Sequence, residues 1–375
     1  MRKVLILMGR YLPGYRDGGP VRTIKNLTDI LGKEYEFYIM CNDRDHGDVK
    51  AYPNIQVNEY NQIGNAQVYY VENGKFKFKT ILKEINGKDV VYCCGIYGTY
   101  AIKVIMLKKL GLFKQKLTIA SMGSFSKGAL ALKSKKKNLF LSIMKTLGLF
   151  RKIIWSVTSS VEENELKDVL GEMATCYIAE DLPRIDKIMH MNKKIKKELK
   201  IVFISRISKK KNLYGAIEIL YKLSNFQIKF DIFGNIEDRE YWKECKDILN
   251  KLPENIKWKY KGECNSNDVV TTFSNYDVFL FPTFGENFGH VISESLIAGC
   301  IPVISNTTPW NDFDKYECGN IVDLNNIEKF VSILNRYSEM TDIEFNKYVN
   351  NAQNYITVKN KKSIDETGYR RIFDL

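Results

Sequence analysis

Proline and histidine are scarce in this sequence, 8 and 3 among 375 residues, and the prolines gather in no tract. With no Gly/Ser or Gln/Asn run and no internal repeat, that scarcity excludes the disordered, collagenous and solenoid classes. His46, His190 and His290 are too few to complete a metal site, and the eight cysteines show no CxxC spacing, so zinc is not expected. No uninterrupted apolar run approaches about 18 residues and no apolar leader opens the chain, which predicts free thiols, a reducing cytoplasm and membrane contact that is at most peripheral. Gly14, Gly18 and Gly19 do not form a GxGxxG fingerprint, which argues against a dinucleotide oxidoreductase.

Acidic residues are missing altogether from positions 90 to 161, a stretch that carries 13 Lys and Arg. Removing those 13 from the total of 57 leaves 44, equal to the number of Asp and Glu, so the formal charge of +13 resides in this one segment. A local cationic field attracts anionic lipid, nucleic acid or a phosphorylated substrate. Here Lys133, Lys135, Lys136 and Lys137 precede Leu139, Phe140, Ile143, Met144, Leu147, Phe150 and Trp155. That mixture fits the interface of an anionic membrane, where each basic residue contributes about 1 kcal/mol. It equally fits a core helix with a cationic outer face. Nucleic acid is not expected, because no binding motif accompanies the charge.

What is present is globular: 45% of residues are hydrophobic and 27% charged. The apolar run at residues 3–8 is followed by Gly9, Pro13, Gly14, Gly18, Gly19 and Pro20, then by Val21, Ile24, Leu27 and Leu31 at helical spacing: strand, glycine-rich loop, helix. Strands at 37–41, 68–71, 90–94 and 117–120 continue the alternation. The pattern restarts at 201–204 and runs through strands at 228–233, 256–260, 278–281 and 302–305. Alternating strands and helices imply parallel, doubly wound sheets. The predicted organisation is a first Rossmann-like domain at 1–195, a second at 196–360, and a helix at 361–375 packing on the first. Two such domains are expected to face each other across a cleft lined by the carboxyl ends of their strands.

Two constellations carry chemistry. Glu286 and Glu294 enclose seven residues, and Gly285 and Gly289 free the backbone at a strand-to-helix turn, so amides of Phe288, Gly289 and His290 can meet an anion or sugar hydroxyls. Glu286 could accept from a sugar, and Glu294, about two turns into the helix, could hold a ribose diol. Taken alone, two glutamates at that spacing are as readily a solvated helix face. Arg206 follows the strand at 201–204, and Lys211 and Asn212 open the next helix. Two cations there could stabilise a departing diphosphate, while Lys209 and Lys210 read as a solvated loop.

Together the segments around Arg206, Lys211 and Asn212 and from Glu286 to Glu294 resemble the family 4 retaining glycosyltransferases, of GT-B fold, whose second domain carries an SR, KN and then an E-x7-E motif. Phe233-Gly234, Tyr260-Lys-Gly262, the run from Tyr276 to Pro282 and the run from Gly299 to Ser305 follow the family in order. The first domain is looser, although residues 14–20, 42–48 and 122–130 look like capsule and exopolysaccharide members. The resemblance implies transfer of a sugar from a nucleotide diphosphate sugar to a saccharide or lipid-linked saccharide in surface polysaccharide synthesis, at the inner face of the membrane and with no metal or other cofactor. Arg206 and Lys211 would bind the pyrophosphate, Glu294 the ribose, and Glu286 with Asn287, Phe288, Gly289 and His290 the transferred sugar. Gly18 and Gly19 would complete the phosphate site.

One departure stands out. Many members place a histidine in the first domain near the reacting sugar, where this sequence reads Ser121-Met122-Gly123. That departure leaves a second reading, a catalytically weak homologue serving as a binding subunit of a polysaccharide assembly complex. An inverting transferase or epimerase of the same architecture would need a first-domain catalytic carboxylate or histidine, and none stands out. Asp43-Arg-Asp45 matches a manganese-binding DxD triplet in form only and reads as a polar loop.

Overall fold

The computed structural model describes residues 1–14, 16–126, 129–130, 134–172, 174–185, 198–265 and 267–375. Lys127, Lys133, His190 and residues 190–197 of the expected linker at 190–200 lie outside them. The chain forms two compact units, Met1–Pro183 with Ser363–Leu375, and Arg184–Lys362. The division after Pro183, rather than after 195, has a packing reason. Leu182 is buried in the first unit, and its carbonyl accepts from Asn26 Nδ2 at 2.9 Å.

In the first unit eight strands alternate with helices: β1 Arg2–Leu7, β2 Tyr35–Asn42, β3 Tyr60–Ile63, β4 Ala66–Val71, β5 Val90–Cys94, β6 Lys116–Ala120, β7 Ile153–Val157 and β8 Thr175–Ile178. Their order is β3-β4-β2-β1-β5-β6-β7-β8, parallel apart from the β3–β4 hairpin. Val4 and Ile6 of β1 enter one apolar core, Leu5 and Leu7 the other, as expected of a parallel strand covered on both faces. The helix Gly19–Leu31 starts behind the glycine-rich loop, with Pro20 in its first turn, where a missing N–H costs nothing.

The expected membrane segment divides in two. Residues Ser134–Thr146 are a helix, whereas Trp155 belongs to β7 and is buried against Phe125 and Phe150, so the tryptophan is core rather than interface. At the end of the chain, the helix Asp342–Asp365 is followed by a separate turn and the short helix Gly368–Phe373. That last helix completes the first unit's core. The Phe373 ring lies 5.3, 6.0 and 5.8 Å from Tyr35, Phe37 and Tyr92, centroid to centroid, and Arg370 bonds both oxygens of Glu34 at 2.8 Å.

The second unit holds β9 Glu198–Ile204, β10 Gln227–Phe233, β11 Ile256–Tyr260, β12 Val278–Phe281, β13 Ile301–Ser305 and β14 Asn320–Val322. They lie in the order β11-β10-β9-β12-β13-β14, all parallel, so the winding reverses between β9 and β12. In such sheets ligands bind beyond the carboxyl ends of the strands at the reversal. Gly234 makes a close approach there possible: at φ +144° it sits where a Cβ would lie 1.8 Å from the Ser205 carbonyl oxygen.

Because Phe373 is fully buried among four rings, those of Tyr35, Phe37, Tyr92 and Tyr369, Phe373→Ala is expected to destabilise the first unit by about 3–5 kcal/mol. Urea unfolding followed by near-UV circular dichroism checks it; an unchanged midpoint would mean that the terminal helix is dispensable.

Candidate active site

β9 ends at Ile204, and the chain passes through Arg206 and a single 3₁₀ turn, Lys209–Lys211, before Asn212 caps the helix Leu213–Tyr221. Asn212 adopts the left-handed conformation (φ 57°, ψ 47°), which asparagine tolerates better than most residues. Its Oδ1 accepts from Gly215 N at 3.1 Å and its Nδ2 donates to the Pro282 carbonyl at 2.8 Å, so one side chain starts a helix and ties it to the loop after β12. Two further bonds close the same seam: Phe284 N and Thr283 Oγ1 donate to the Lys210 carbonyl at 2.9 and 3.1 Å. Thr283 is fully buried, and its own carbonyl accepts from Ser305 Oγ and Thr307 Oγ1 at 2.5 and 2.7 Å, which brings in the loop after β13.

That seam places Lys211 against Glu286. The ammonium donates to Glu286 Oε1, with side-chain exposures of only 11% and 12%, so the pair is largely withdrawn from water. Burial draws the Lys211 ammonium below its usual range; Glu286 opposes the shift, while Arg206 and Lys210 add to it. Arg206 is held differently. Its Nη1 bonds both oxygens of Glu237, at 3.0 and 3.2 Å, on an exposed surface.

Beyond Glu286 the chain turns through exposed Asn287 and half-buried Phe288 to Gly289, which caps the helix His290–Ile297 in the left-handed region (φ 78°, ψ 57°). A Cβ on Gly289 would meet Ile292 Cδ1 at 2.9 Å and Glu286 Cγ at 3.5 Å, so glycine suits both the turn and the approach of Glu286. The Phe288 carbonyl accepts from Trp310 Nε1 at 2.6 Å, and its ring packs on His290 at 4.7 Å. His290 is the buried first residue of that helix, and Glu294 is 1% exposed within it. The helix starts at His290, so Glu294 lies one turn in, not two. Arg206, Lys211, Glu286, Asn287, Phe288, Gly289, His290 and Glu294 therefore all belong to the β9 and β12 loops and the helix that follows, at the reversal of the second sheet.

Gly18 and Gly19 lie in the first unit, at the start of its first helix; Gly18 has φ +64°, and a Cβ added there would meet nothing within 4 Å. Where the sequence lacks a histidine, Glu162 organises the backbone. Its carboxylate accepts from Ser121 Oγ, Gly123 N, and Thr158 N and Oγ1, at 2.5 to 2.7 Å. Nearby, burial raises the Asp181 carboxyl to about 7, helped by Glu162 and Glu180 and opposed by a hydrogen bond to Thr23. Asp43 is bound by Arg44 at 2.8 and 3.0 Å and accepts from Asn73 N at 3.2 Å, while Asp45 accepts from His46 N at 2.7 Å and Arg16 N at 3.3 Å, so both carboxylates tie loops of the first unit together. Among the described residues no group of three or more His, Cys, Asp or Glu is placed to hold a metal ion.

Sequence reading missed Thr283, Glu237 and Glu162. Thr283 had a local signal, a hydroxyl directly after an apolar strand and a proline; Glu237 meets Arg206 across 31 residues, and Glu162, although bonded to Thr158 four residues away, meets Ser121 and Gly123 across 41 and 39. Removing one member of a buried ion pair strands the other, so Lys211→Met and Glu286→Gln are each expected to cost about 3 kcal/mol in urea unfolding, with the double variant costing less than their sum by more than about 1 kcal/mol. Additive costs would mean that the two side chains do not act as a pair.

The family model for Glycosyl transferases group 1 matches residues 185–355. A protein of Klebsiella pneumoniae described as "Uncharacterized 41.2 kDa protein in cps region" is 23% identical over 301 residues, 77% of this chain and 78% of that one. Among solved structures, HepE of Anabaena in complex with UDP and glucose superposes with a TM-score of 0.66 at 13% identity, over 97% of this chain and 99% of the other. A sucrose-phosphate synthase of Thermosynechococcus elongatus reaches 0.70 at 12% identity over 100% of both chains. WaaG, a glycosyltransferase involved in lipopolysaccharide biosynthesis, reaches 0.65 at 12% identity, over 97% of this chain and 98% of the other. Two Rossmann-like units of the GT-B type, with these residues at the reversal of the second sheet, thus coincide with a match to the group 1 glycosyltransferase model over residues 185–355.

Proposed function

We propose that this enzyme transfers a sugar from a nucleotide diphosphate sugar to a saccharide acceptor, with retention at the anomeric carbon and without a metal. The observation that carries the reading is the withdrawn Lys211–Glu286 pair beside Arg206 at the β9–β12 reversal. A diphosphate is already a good leaving group. When the anomeric C–O bond breaks, the bonding pair stays on the diphosphate, and two cations stabilise it, Lys211 withdrawn from water and Arg206 accessible beside it. Glu286 then serves the transferred sugar and Glu294 the ribose of the donor, as the resemblance of the motif implies. The acceptor hydroxyl attacks the anomeric carbon on the face from which the diphosphate departs, and its proton passes to the departing diphosphate oxygen. UDP in the HepE complex supports a nucleoside diphosphate as the common element of the donor.

The acceptor we propose is a lipid-linked saccharide of a surface polysaccharide, presented at an anionic membrane. Support comes from the first unit. On the helix Ser134–Thr146, Leu139 and Ile143 recur at a spacing of four, Leu147 follows at the same interval, and all three are about half exposed or more (63%, 49% and 58%). Leu110 and Leu112 add exposed apolar surface near Lys109, whose Nζ reaches the Gly148 carbonyl at 3.4 Å. Apolar side chains held in water beside Lys135, Lys136 and Lys145 suit a lipid interface better than an aqueous one. No helix among the described residues is long and apolar enough to cross a membrane. The cps region named for the Klebsiella relative agrees with the polysaccharide assignment.

A thermal-shift panel of UDP, GDP, ADP and their sugar conjugates, with and without Mg²⁺ or Mn²⁺, tests the donor. The true base should stabilise the protein by about 2.7 kcal/mol at 100 times its dissociation constant, without metal. No response to any nucleotide would favour the binding-subunit reading. With the donor identified, Arg206→Ala should lower kcat about 100-fold, and Glu294→Ala should raise the donor's dissociation constant about tenfold; unchanged kinetics in both would remove the site. Sedimentation with phosphatidylglycerol vesicles should capture the wild type, and Leu139→Ser with Ile143→Ser should release it; equal capture of both proteins would place membrane contact elsewhere.

A further inference from the structure

Outside the Lys211–Glu286 site, the second unit carries a groove of about 580 Å³, within the range typical of small-molecule sites. One wall is a single face of the helix Arg239–Leu249, where Tyr241, Glu244 and Ile248 recur at helical spacing. The rest of the lining is Asn212 and Tyr214, at the start of the helix Leu213–Tyr221, with Lys209 and Phe284.

Its shape is held by backbone. Tyr214 N donates to the Tyr241 hydroxyl at 2.9 Å, and Tyr241 N to the capping carboxylate of Asp238 at 3.0 Å. Phe284 is pinned through its own N–H on the Lys210 carbonyl, yet its side chain is 58% exposed. A rigid loop is thus holding an aromatic ring out in water, which packing within the unit does not explain. Lys209 and Glu244 are both exposed, and among the described residues neither makes an ion pair or a side-chain hydrogen bond. The groove's lining combines aromatic side chains with a donor-only cation and an acceptor-only anion.

A ligand for that lining needs an apolar face for the rings and hydroxyls that can both accept from an ammonium and donate to a carboxylate. A nucleoside diphosphate would set its charge against Glu244, and an acyl chain would leave both charges desolvated. A pyranose ring meets each demand, with its C–H face against an aromatic ring and its hydroxyls at the edge. We infer that this groove is a saccharide-binding site separate from the donor site, taking a neutral pyranose oligosaccharide with its rings on Phe284 and Tyr214 and its hydroxyls on Lys209 and Glu244. The choice of ligand class rests on the sugar-transfer reading; the groove itself does not. Lys209 and Lys211 are the two ends of one 3₁₀ turn, and Phe284 is two residues from Glu286, so the groove shares both loops with the ion pair. A saccharide held here stays anchored to the enzyme while the reaction site turns over.

Saturation-transfer NMR on the full chain tests this with maltohexaose and N-acetylchitohexaose as probes, comparing wild type, Phe284→Ala and the double variant Lys209→Ala with Glu244→Ala. At least one probe should bind the wild type saturably, with at least tenfold weaker binding in both variants, while the thermal shift given by the stabilising nucleotide is unchanged. The inference is overturned if neither probe binds, if Phe284→Ala binds as the wild type does, or if Phe284→Ala loses the nucleotide shift, which would make the groove part of the donor site. If no nucleotide stabilises the wild type but a probe binds and Phe284→Ala loses it, the groove stands and the donor reading falls.

Discussion

Parallel strands cannot be joined by a tight turn, so every neighbour in the second sheet is reached by a crossover, and the crossovers must somewhere change direction. They do so between β9 and β12, which pair at Ile201–Val278 and Val202–Phe279. From that point one connection winds toward β10 and the other toward β13, so two loops leave adjacent strand ends bound for opposite faces of the sheet. Backbone groups of loops that separate in this way must find partners other than each other's strands. The Lys210 carbonyl, the Pro282 carbonyl and the Thr283 carbonyl supply them, and everything chemical in the second unit hangs on that seam.

The seam also sets the electrostatics. A lysine on a free loop would swing into solvent, where its attraction to a carboxylate is worth little. Held by a 3₁₀ turn whose carbonyl is already tied down, Lys211 has no such escape, and its ammonium is drawn below its normal range by burial with Glu286 as its counter-charge. Arg206, only five positions earlier, remains exposed on Glu237. Of these two cations, Lys211 is therefore withdrawn from water and Arg206 is left accessible.

The first unit meets the same topological demands with different chemistry. Its core on one face of the sheet is closed by Phe373, brought back from the far end of the chain, and the rim near Ser121 is organised by the single carboxylate of Glu162. Within its acid-free tract, the segment from 134 to 157 resolves into a cationic helix with exposed leucines and a buried strand, two environments that composition alone had merged.

Much of this was legible in the sequence. Apolar runs of four to seven residues between glycine-bearing loops mark β1, β5, β9 and β12 because a strand covered on both faces must be apolar throughout. Arg206, Lys211, Glu286 and Glu294 stand out because their spacing around strand ends is a local property, written in consecutive residues. The β3 strand, partner of the expected β4, and the β7 strand escaped notice because the first alternates weakly and the second follows a cationic helix without a sharp turn signal. Which residue each charge would meet was a different matter. Glu286 to Lys211 spans 75 positions, Arg206 to Glu237 spans 31 and Ser121 to Glu162 spans 41. Sequence by itself determined two doubly wound sheets and the residues gathered at the turn of the second; tertiary structure alone decided their partners, their burial and which of them keep contact with water, because those depend on packing across crossovers that no local pattern encodes.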